Sequence, residues 1–218
     1  MKKLIIFDLD GTIIDTLEDL KNAVNHALKL KNYPERSLEQ IRLAIGNGVG
    51  KLVARSLPDN ENNLDYEYVL SEFRKYYSVH SDDFTKPYDG VYEELINLKK
   101  ECYLLAVATN KLNDIARELV EKFYPSMFDI IQGDQIGMER KPAPMMINTI
   151  CQKLNINKKD AFYIGDTDVD MQTALNSEID FVLVTYGYRT KEELKILCPH
   201  QPTIDSIKDL SKYLKNID

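Results

Sequence analysis

The chain has 218 residues, 44% of them hydrophobic and 29% charged, with a formal net charge of −7. Those values fit a globular protein built as one large domain or as a core carrying an insertion, and the negative balance argues against nucleic acid or an anionic membrane as the main partner. Three widely spaced cysteines (Cys102, Cys151, Cys198) lack metal-ligand spacing and read as reduced thiols of a cytoplasmic protein.

The first predicted element is a strand over Leu4–Leu9, apolar through Phe7. Lys2 and Lys3 ahead of it faintly mimic a secretory leader, but Asp8 cuts the apolar run too short for one. A short run with no polar face belongs in a parallel sheet covered by helices on both sides. It leads into Asp8-Leu9-Asp10-Gly11-Thr12. Side chains two apart in extended backbone point the same way, so Asp8 and Asp10 both face the cleft beyond the strand's carboxyl end. At about 4 Å and an effective dielectric of 20, two ionised carboxylates repel by about 4 kcal/mol; a cation lies between them or one is protonated. The plainer alternative is two surface aspartates in a strand-to-helix turn.

Residues 16 to 89 are far longer than a crossover needs. They carry helical patterns at Leu17–Leu30, Leu38–Ile45, Val49–Leu57 and Leu64–Val79, with turn signals at Asn32–Pro34, Gly46-Asn47-Gly48 and Pro58-Asp59-Asn60. This reads as an all-helical domain inserted over 16–82, with the core formed by 1–15 and 83–218 and the second hinge in Asp82–Pro87. Four more strands follow, at Tyr103–Thr109, Phe128–Gln132, Ala161–Gly165 and Phe181–Thr185. Helices alternate with them: from Asp89 to Leu98, from Asn113 or Asp114 to Phe123, from Pro144 to Leu154, and from Asp166 or Thr167 towards Asn176. The expected fold is α/β, a doubly wound, Rossmann-like parallel sheet with an inserted helical domain and with ligands at the strands' carboxyl ends. No run is long enough to span a membrane.

Three further polar sites fall at strand ends or on a stiff loop. Thr109-Asn110-Lys111 closes the second strand; a threonine there either caps a helix or offers its hydroxyl and nearby amides to a phosphate. Lys141 lies in Glu139-Arg140-Lys141-Pro142-Ala143-Pro144, where two prolines hold the loop; it is either a solvated lysine or a charge set between an anion and carboxylates. Gly165-Asp166-Thr167-Asp168-Val169-Asp170 places three acids in five residues. Asp166 and Asp170, four apart, are expected on one face of a helix's first turns, with Asp168 capping or facing solvent. Few carboxylates plus waters suit magnesium.

In this order, Asp8-Leu9-Asp10-Gly11-Thr12, Thr109, Lys141 and Gly165-Asp166…Asp170 resemble the four motifs of the haloacid dehalogenase-like hydrolase superfamily. The helical insert resembles that family's alpha-helical cap. Gly46-Asn47-Gly48…Leu52–Leu57, Tyr88-Asp89-Gly90-Val91, Lys141–Pro144, Val184–Arg189 and Pro202–Ser206 look like the phosphoglycolate phosphatase branch. The resemblance implies a phosphoric monoester hydrolase that uses Mg2+ and acts on a small phosphorylated metabolite. Asp8 is then the nucleophile that forms an aspartyl-phosphate, and Asp10 the acid and base. Mg2+ would be held by Asp8, the carbonyl of Asp10 and Asp166, with Asp170 reaching it directly or through water. Thr109, Asn110 and Lys141 would bind the phosphoryl group. In the cap, Asn47, Lys51 and Arg55, with Arg42, are either substrate contacts or residues of solvated helix faces and a plain turn.

The resemblance points to 2-phosphoglycolate as substrate, with pyrophosphate or a sugar phosphate (hydrolysed or isomerised) as alternatives. Carbon–halogen cleavage is disfavoured, because that branch lacks the second aspartate and Asp10 is present. A non-catalytic phosphate-binding regulator would have lost one of Asp8, Asp10, Lys141 or Asp166, and none is missing. The chain is expected to be a monomer or homodimer. His26, His80 and His200 show no spacing that makes a site.

Overall fold

The computed structural model describes residues 2–217. Two compact units make it up, one formed by Met1–Ile14 with Pro87–Asp218 and the other by Asp15–Lys86. The chain starts with β1 (Leu4–Phe7), fully buried, and leaves the first unit through β2 (Ile14–Asp15). The second unit holds α1 (Leu17–Lys29), α2 (Leu38–Ala44), α3 (Val49–Ser56), a 3-10 turn at Asn60–Asn62, and α4 (Tyr66–Tyr77). The return is through β3 (Lys86–Pro87), which pairs with β2 in a two-stranded sheet. There follow α5 (Val91–Lys100), β4 (Leu104–Leu112), α6 (Asn113–Phe123), β5 (Ile130–Asp134) and α7 (Met145–Lys153). Then come β6 (Ala161–Gly165), α8 (Asp168–Ser177), β7 (Asp180–Val184), α9 (Lys191–Leu197), β8 (Thr203–Ile204) and α10 (Leu210–Ile217).

The main sheet has six strands in the order β5-β4-β1-β6-β7-β8, and every pairing is parallel. β1 lies between β4 and β6, with Leu4 opposite both Leu104 and Ala161. The chain winds outward on one side through β4 and β5, then returns to β1's other side for β6 to β8. The reversal falls at β1, so its carboxyl end is the crevice where ligands of such sheets bind. One face of the sheet buries Leu4, Ile6, Ala106, Ala108, Tyr163 and Leu183 against Ile147 and Ile150 of α7 and Ala174 of α8. The α/β class and parallel core agree with expectation. Beyond shifts of a residue or two at strand ends, such as β1 stopping at Phe7 and β5 running from Ile130 to Asp134, two features differ. β4 continues past Thr109 to Leu112, with a register break between Ala108 and Leu112, and the sheet gains a sixth strand, β8.

In the second unit, Val24, Leu52, Val53, Val69 and Phe73 are buried. Ser37 caps α2, with its side chain accepting from Gln40 N and the Gln40 side chain returning to the Ser37 amide. Asp19, fully buried on α1, accepts from the amides of Phe84 and Thr85 and from Thr85 Oγ1 at 2.7 Å. Its carboxylate therefore ties the closing segment of this unit to its opening helix. Among the described residues, no helix is long and apolar enough to cross a membrane.

Candidate active site

Parallel pairing extends one residue past β1, through a 2.8 Å bond from Asp8 N to Ile164 O. The chain then turns at Gly11, whose φ of +86° is left-handed and whose missing Cβ would overlap the Asp166 carboxylate. That turn lets Thr12 Oγ1 donate to Asp166 Oδ1 at 3.0 Å. Asp8 is buried, and its Oδ1 lies 2.7 Å from Lys141 Nζ as an ion pair, yet accepts no well-angled hydrogen bond. Asp10, two residues on, receives Lys111 Nζ at 2.9 Å.

Lys141 is held from two directions. Its backbone amide donates to Asn110 Oδ1 at 2.8 Å, while Asn110 Nδ2 donates to the Lys141 carbonyl at 3.0 Å. The buried ammonium donates to Asp170 Oδ1 at 2.8 Å and to the Tyr163 hydroxyl at 3.0 Å. Asp170 gathers five donors. Oδ1 accepts from Lys141 and the Tyr163 hydroxyl; Oδ2 accepts from the amides of Asp166 and Thr167 and from Thr167 Oγ1. Asp166 accepts from Thr12 on one oxygen and from Tyr188 N, at 2.7 Å, on the other.

The charges respond to these surroundings. Burial pushes Asp8 up to about 7, against the opposing pull of Lys141 and with a further push from Asp170. Burial, then the charges of Asp170 and Asp8, holds Asp166 well above the carboxylate range. Asp170 is also buried, but the Lys141 ammonium and the donors around it outweigh desolvation and hold it below its ordinary value. Lys141 is raised despite its burial, because Asp170 and Asp8 outweigh that cost.

The structure thus brings Asp8, Asp10, Asn110, Lys141, Asp166 and Asp170 to the carboxyl end of β1, β4 and β6. Thr109 is buried in β4 and its Oγ1 accepts from Lys111 N at 3.2 Å. Asp166 and Asp170 do not share a helix face, contrary to their expected placement. Thr167 caps α8, so Asp166 precedes the helix and Asp170 reaches back over the cap. Asp168 faces outward, 3.5 Å from Arg189 Nε. In the other unit, Lys51 pairs with Glu61 at 2.5 Å, Arg42 with Glu39 at 2.7 Å, and Arg55 donates to Ala44 O and Asn47 Oδ1. His26 and His80 each stack against the Tyr76 ring, with centroids 4.2 and 4.3 Å apart.

Four contributors were given no role of their own by the sequence. Thr12 and Lys111 lie inside the quoted motifs, Gly187 inside a segment that resembles the phosphoglycolate phosphatase branch, and Tyr163 inside the predicted strand Ala161–Gly165. A Cβ on Gly187 would overlap the Gly11 carbonyl and Asp166. Only alternation along β6, which puts Tyr163 and Gly165 on one side, could have flagged the tyrosine.

Asp8, Asp166 and Asp170 offer one oxygen each within 4.8 Å of one another, all three buried. Three carboxylates against Lys141 alone leave negative charge out of water, which a divalent cation would balance. Asp8 Oδ1 meets only the Lys141 ammonium, without a well-angled hydrogen bond, while both Asp170 oxygens are saturated. A hard cation with oxygen ligands therefore fits, with Asp8 and Asp166 as ligands and Asp170 as their support.

A family profile described as haloacid dehalogenase-like hydrolase matches residues 5–184. The chain is 32% identical to a phosphoglycolate phosphatase of Aliivibrio fischeri over 97% of its own length and 94% of the relative's. It is also 32% identical to a phosphoglycolate phosphatase of Aquifex aeolicus, over 85% and 86% of the two chains. A solved structure from Lactobacillus delbrueckii subsp. bulgaricus, with a provisional phosphoglycolate phosphatase assignment, superposes with a TM-score of 0.92 at 32% identity, covering 98% of this chain and 99% of that one. With the motif residues gathered at one crevice and the likeness running through nearly the whole chain, this protein belongs to the haloacid dehalogenase-like hydrolase family, on its phosphoglycolate phosphatase-like branch.

Proposed function

We propose that the protein is a Mg2+-dependent phosphatase of small phosphomonoesters, with 2-phosphoglycolate as its substrate, working through an aspartyl-phosphate. The observation that carries this reading is Asp8: a buried carboxylate at the sheet's switch point, with an oxygen 2.7 Å from a buried lysine and no well-angled hydrogen bond. The relatives named phosphoglycolate phosphatase support the substrate class.

An Asp8 oxygen attacks phosphorus and forms an acyl-phosphate bond as the bond to the leaving oxygen breaks. Asp10 gives its proton to that oxygen. In the second step Asp10 takes a proton from water as that water attacks phosphorus, the Asp8–phosphorus bond breaks, and phosphate leaves. Lys141 and the Thr109 hydroxyl hold the transferring oxygens, and Asn110 aligns Lys141 through its backbone. Asp8, the Asp10 carbonyl and Asp166 would hold Mg2+. When bound, the cation neutralises charge on the phosphoryl oxygens and permits an ionised Asp8. The helical insert serves as a cap in this reading, and the enzyme works in the cytoplasm.

The test is turnover of a panel of phosphomonoesters and pyrophosphate, with Mg2+ and after its removal, beside Asp8→Asn. Preference for 2-phosphoglycolate, loss without metal and an inert variant are expected. Preference for bulky sugar phosphates or nucleotides would overturn the substrate, and metal-independent turnover the cation's role.

A further inference from the structure

An ammonium group has three N–H bonds and rotates freely unless acceptors stop it. In Lys141 two of the three end on protein acceptors, Asp170 Oδ1 at 2.8 Å and the Tyr163 hydroxyl at 3.0 Å. The third is left to Asp8, whose Oδ1 lies 2.7 Å from Nζ as an ion pair without a well-angled hydrogen bond. With two bonds fixed, tetrahedral geometry leaves the third N–H a single direction, and Asp8 Oδ1 is the carboxylate oxygen that remains within 2.7 Å of Nζ.

Tyr163 belongs to no motif. It sits in β6, two residues before Gly165, with no solvent exposure. Burial and the carboxylates around it keep its phenol protonated, so it accepts from Lys141 while donating to Asp170 Oδ1 at 3.0 Å. Lys141, Tyr163 and Asp170 close a triangle in which each member holds the other two. A strand position in a parallel core ordinarily takes an aliphatic side chain, and a buried hydroxyl there is tolerable only with its partners made.

Resting on the phosphatase reading, we infer that Tyr163 is a positioning residue for phosphoryl transfer. Its hydroxyl stops the Lys141 ammonium from rotating, so that the remaining N–H is aimed beside Asp8, where the transferring phosphoryl oxygens must be held. Such aim matters most in the transition state, when charge on those oxygens is redistributed.

The decisive comparison is Tyr163→Phe, which keeps the ring and removes one oxygen. With Mg2+ present, kcat is expected to fall roughly tenfold while KM moves less than about twofold. Affinity for an aluminium fluoride mimic of the transferring group should fall with kcat, and affinity for inorganic phosphate should not. Phe162→Leu, on the other face of the same strand, should lower Tm yet leave kcat unchanged. Wild-type kcat and mimic affinity in Tyr163→Phe overturn the inference. Should that variant not fold, 3-fluorotyrosine at position 163 weakens the hydroxyl as an acceptor and must give a smaller loss of the same kind; unaltered kcat there also overturns it.

A readout without turnover separates this inference from the function it rests on. In protein carrying 15N-labelled lysine, the Lys141 ammonium should be protected from exchange in the wild type and averaged by rotation in Tyr163→Phe. Equal protection in both overturns the positioning role whatever the substrate; a missing phosphatase activity with the protection lost overturns only the substrate reading.

Discussion

Asp8 is a carboxylate whose ionisation the fold opposes and, in the proposed mechanism, the reaction uses. Burial raises it from 3.8 to about 7 in the metal-free protein. A group raised in the folded state contributes stability in full below its unfolded value, and that contribution is lost as pH climbs through the folded one. Metal-free wild type should therefore lose stability through Asp8 between about pH 4 and 7. Asp8→Asn removes that loss. The variant's Tm should exceed that of metal-free wild type by several degrees at pH 8, with the gap shrinking towards pH 5, while its turnover drops more than about a thousandfold. Mg2+ should raise the wild-type Tm at pH 8 and do little for the variant. Thermal melts at the two pH values decide it; a variant less stable than metal-free wild type at pH 8 would show that the Asp8 charge is already compensated by Lys141 alone. The place of Asp8 could be read from sequence, because a short apolar strand marks its own carboxyl end; Asp10 falls beyond β1, where strand alternation no longer sets a side chain's direction. Lys111 and Tyr163 could not be read that way, since their roles depend on register between β4, β1 and β6, which no local pattern encodes.

Elements carry the same logic one step further. The Asp170 carboxylate is set by the first turn of α8, whose cap Thr167 both starts the helix and gives Asp170 a hydroxyl proton at 2.7 Å. α9 starts with the same kind of box, in which the Thr190 side chain accepts from Glu193 N and the Glu193 side chain accepts from Thr190 N. Thr167→Ala and Thr190→Ala should each cost about 1 kcal/mol of stability. Only the first should lower kcat, because only it removes a donor from the group that anchors Lys141. Equal, unchanged kcat in both would reduce Thr167 to a cap. The segment after β7 is a second case. Tyr188 N reaches Asp166 only because Gly187 lets the backbone pass against Gly11. Gly187→Ala should cost about 1–3 kcal/mol as an overpacked contact and also weaken Mg2+ binding, measured by calorimetric titration. Strands with a run of four or more apolar residues announced themselves in the sequence; the two-residue β8 did not, since Thr203–Ile204 has no pattern to read and exists only because β7 offers an edge. The end of β4 escapes local pattern for a related reason: polar Asn110 and Lys111 look like loop, yet both are buried with partners on Lys141 and Asp10.

At the scale of the molecule, the chain crosses between its units only at residues 14–15 and 86–87, and each unit has apolar residues buried within itself. The helical unit was legible as a surplus of helical patterns where a crossover should be, because amphipathic spacing survives without knowledge of neighbours. All the buried acids of the site and Lys141 lie in the sheet unit. Metal binding should then depend on that unit alone. Phe73→Ala, at a fully buried position of α4, should cost the helical unit about 3–5 kcal/mol, and Leu183→Ala in β7 should cost the sheet unit about 2–5 kcal/mol. Calorimetry of the two variants should show the transitions separating, with Phe73→Ala lowering one and Leu183→Ala the other. Between the transitions of Phe73→Ala, Mg2+ should still bind with wild-type affinity. A single transition lowered equally by both substitutions, or Mg2+ binding lost with the helical unit, would mean that the two units fold as one and that the site needs both.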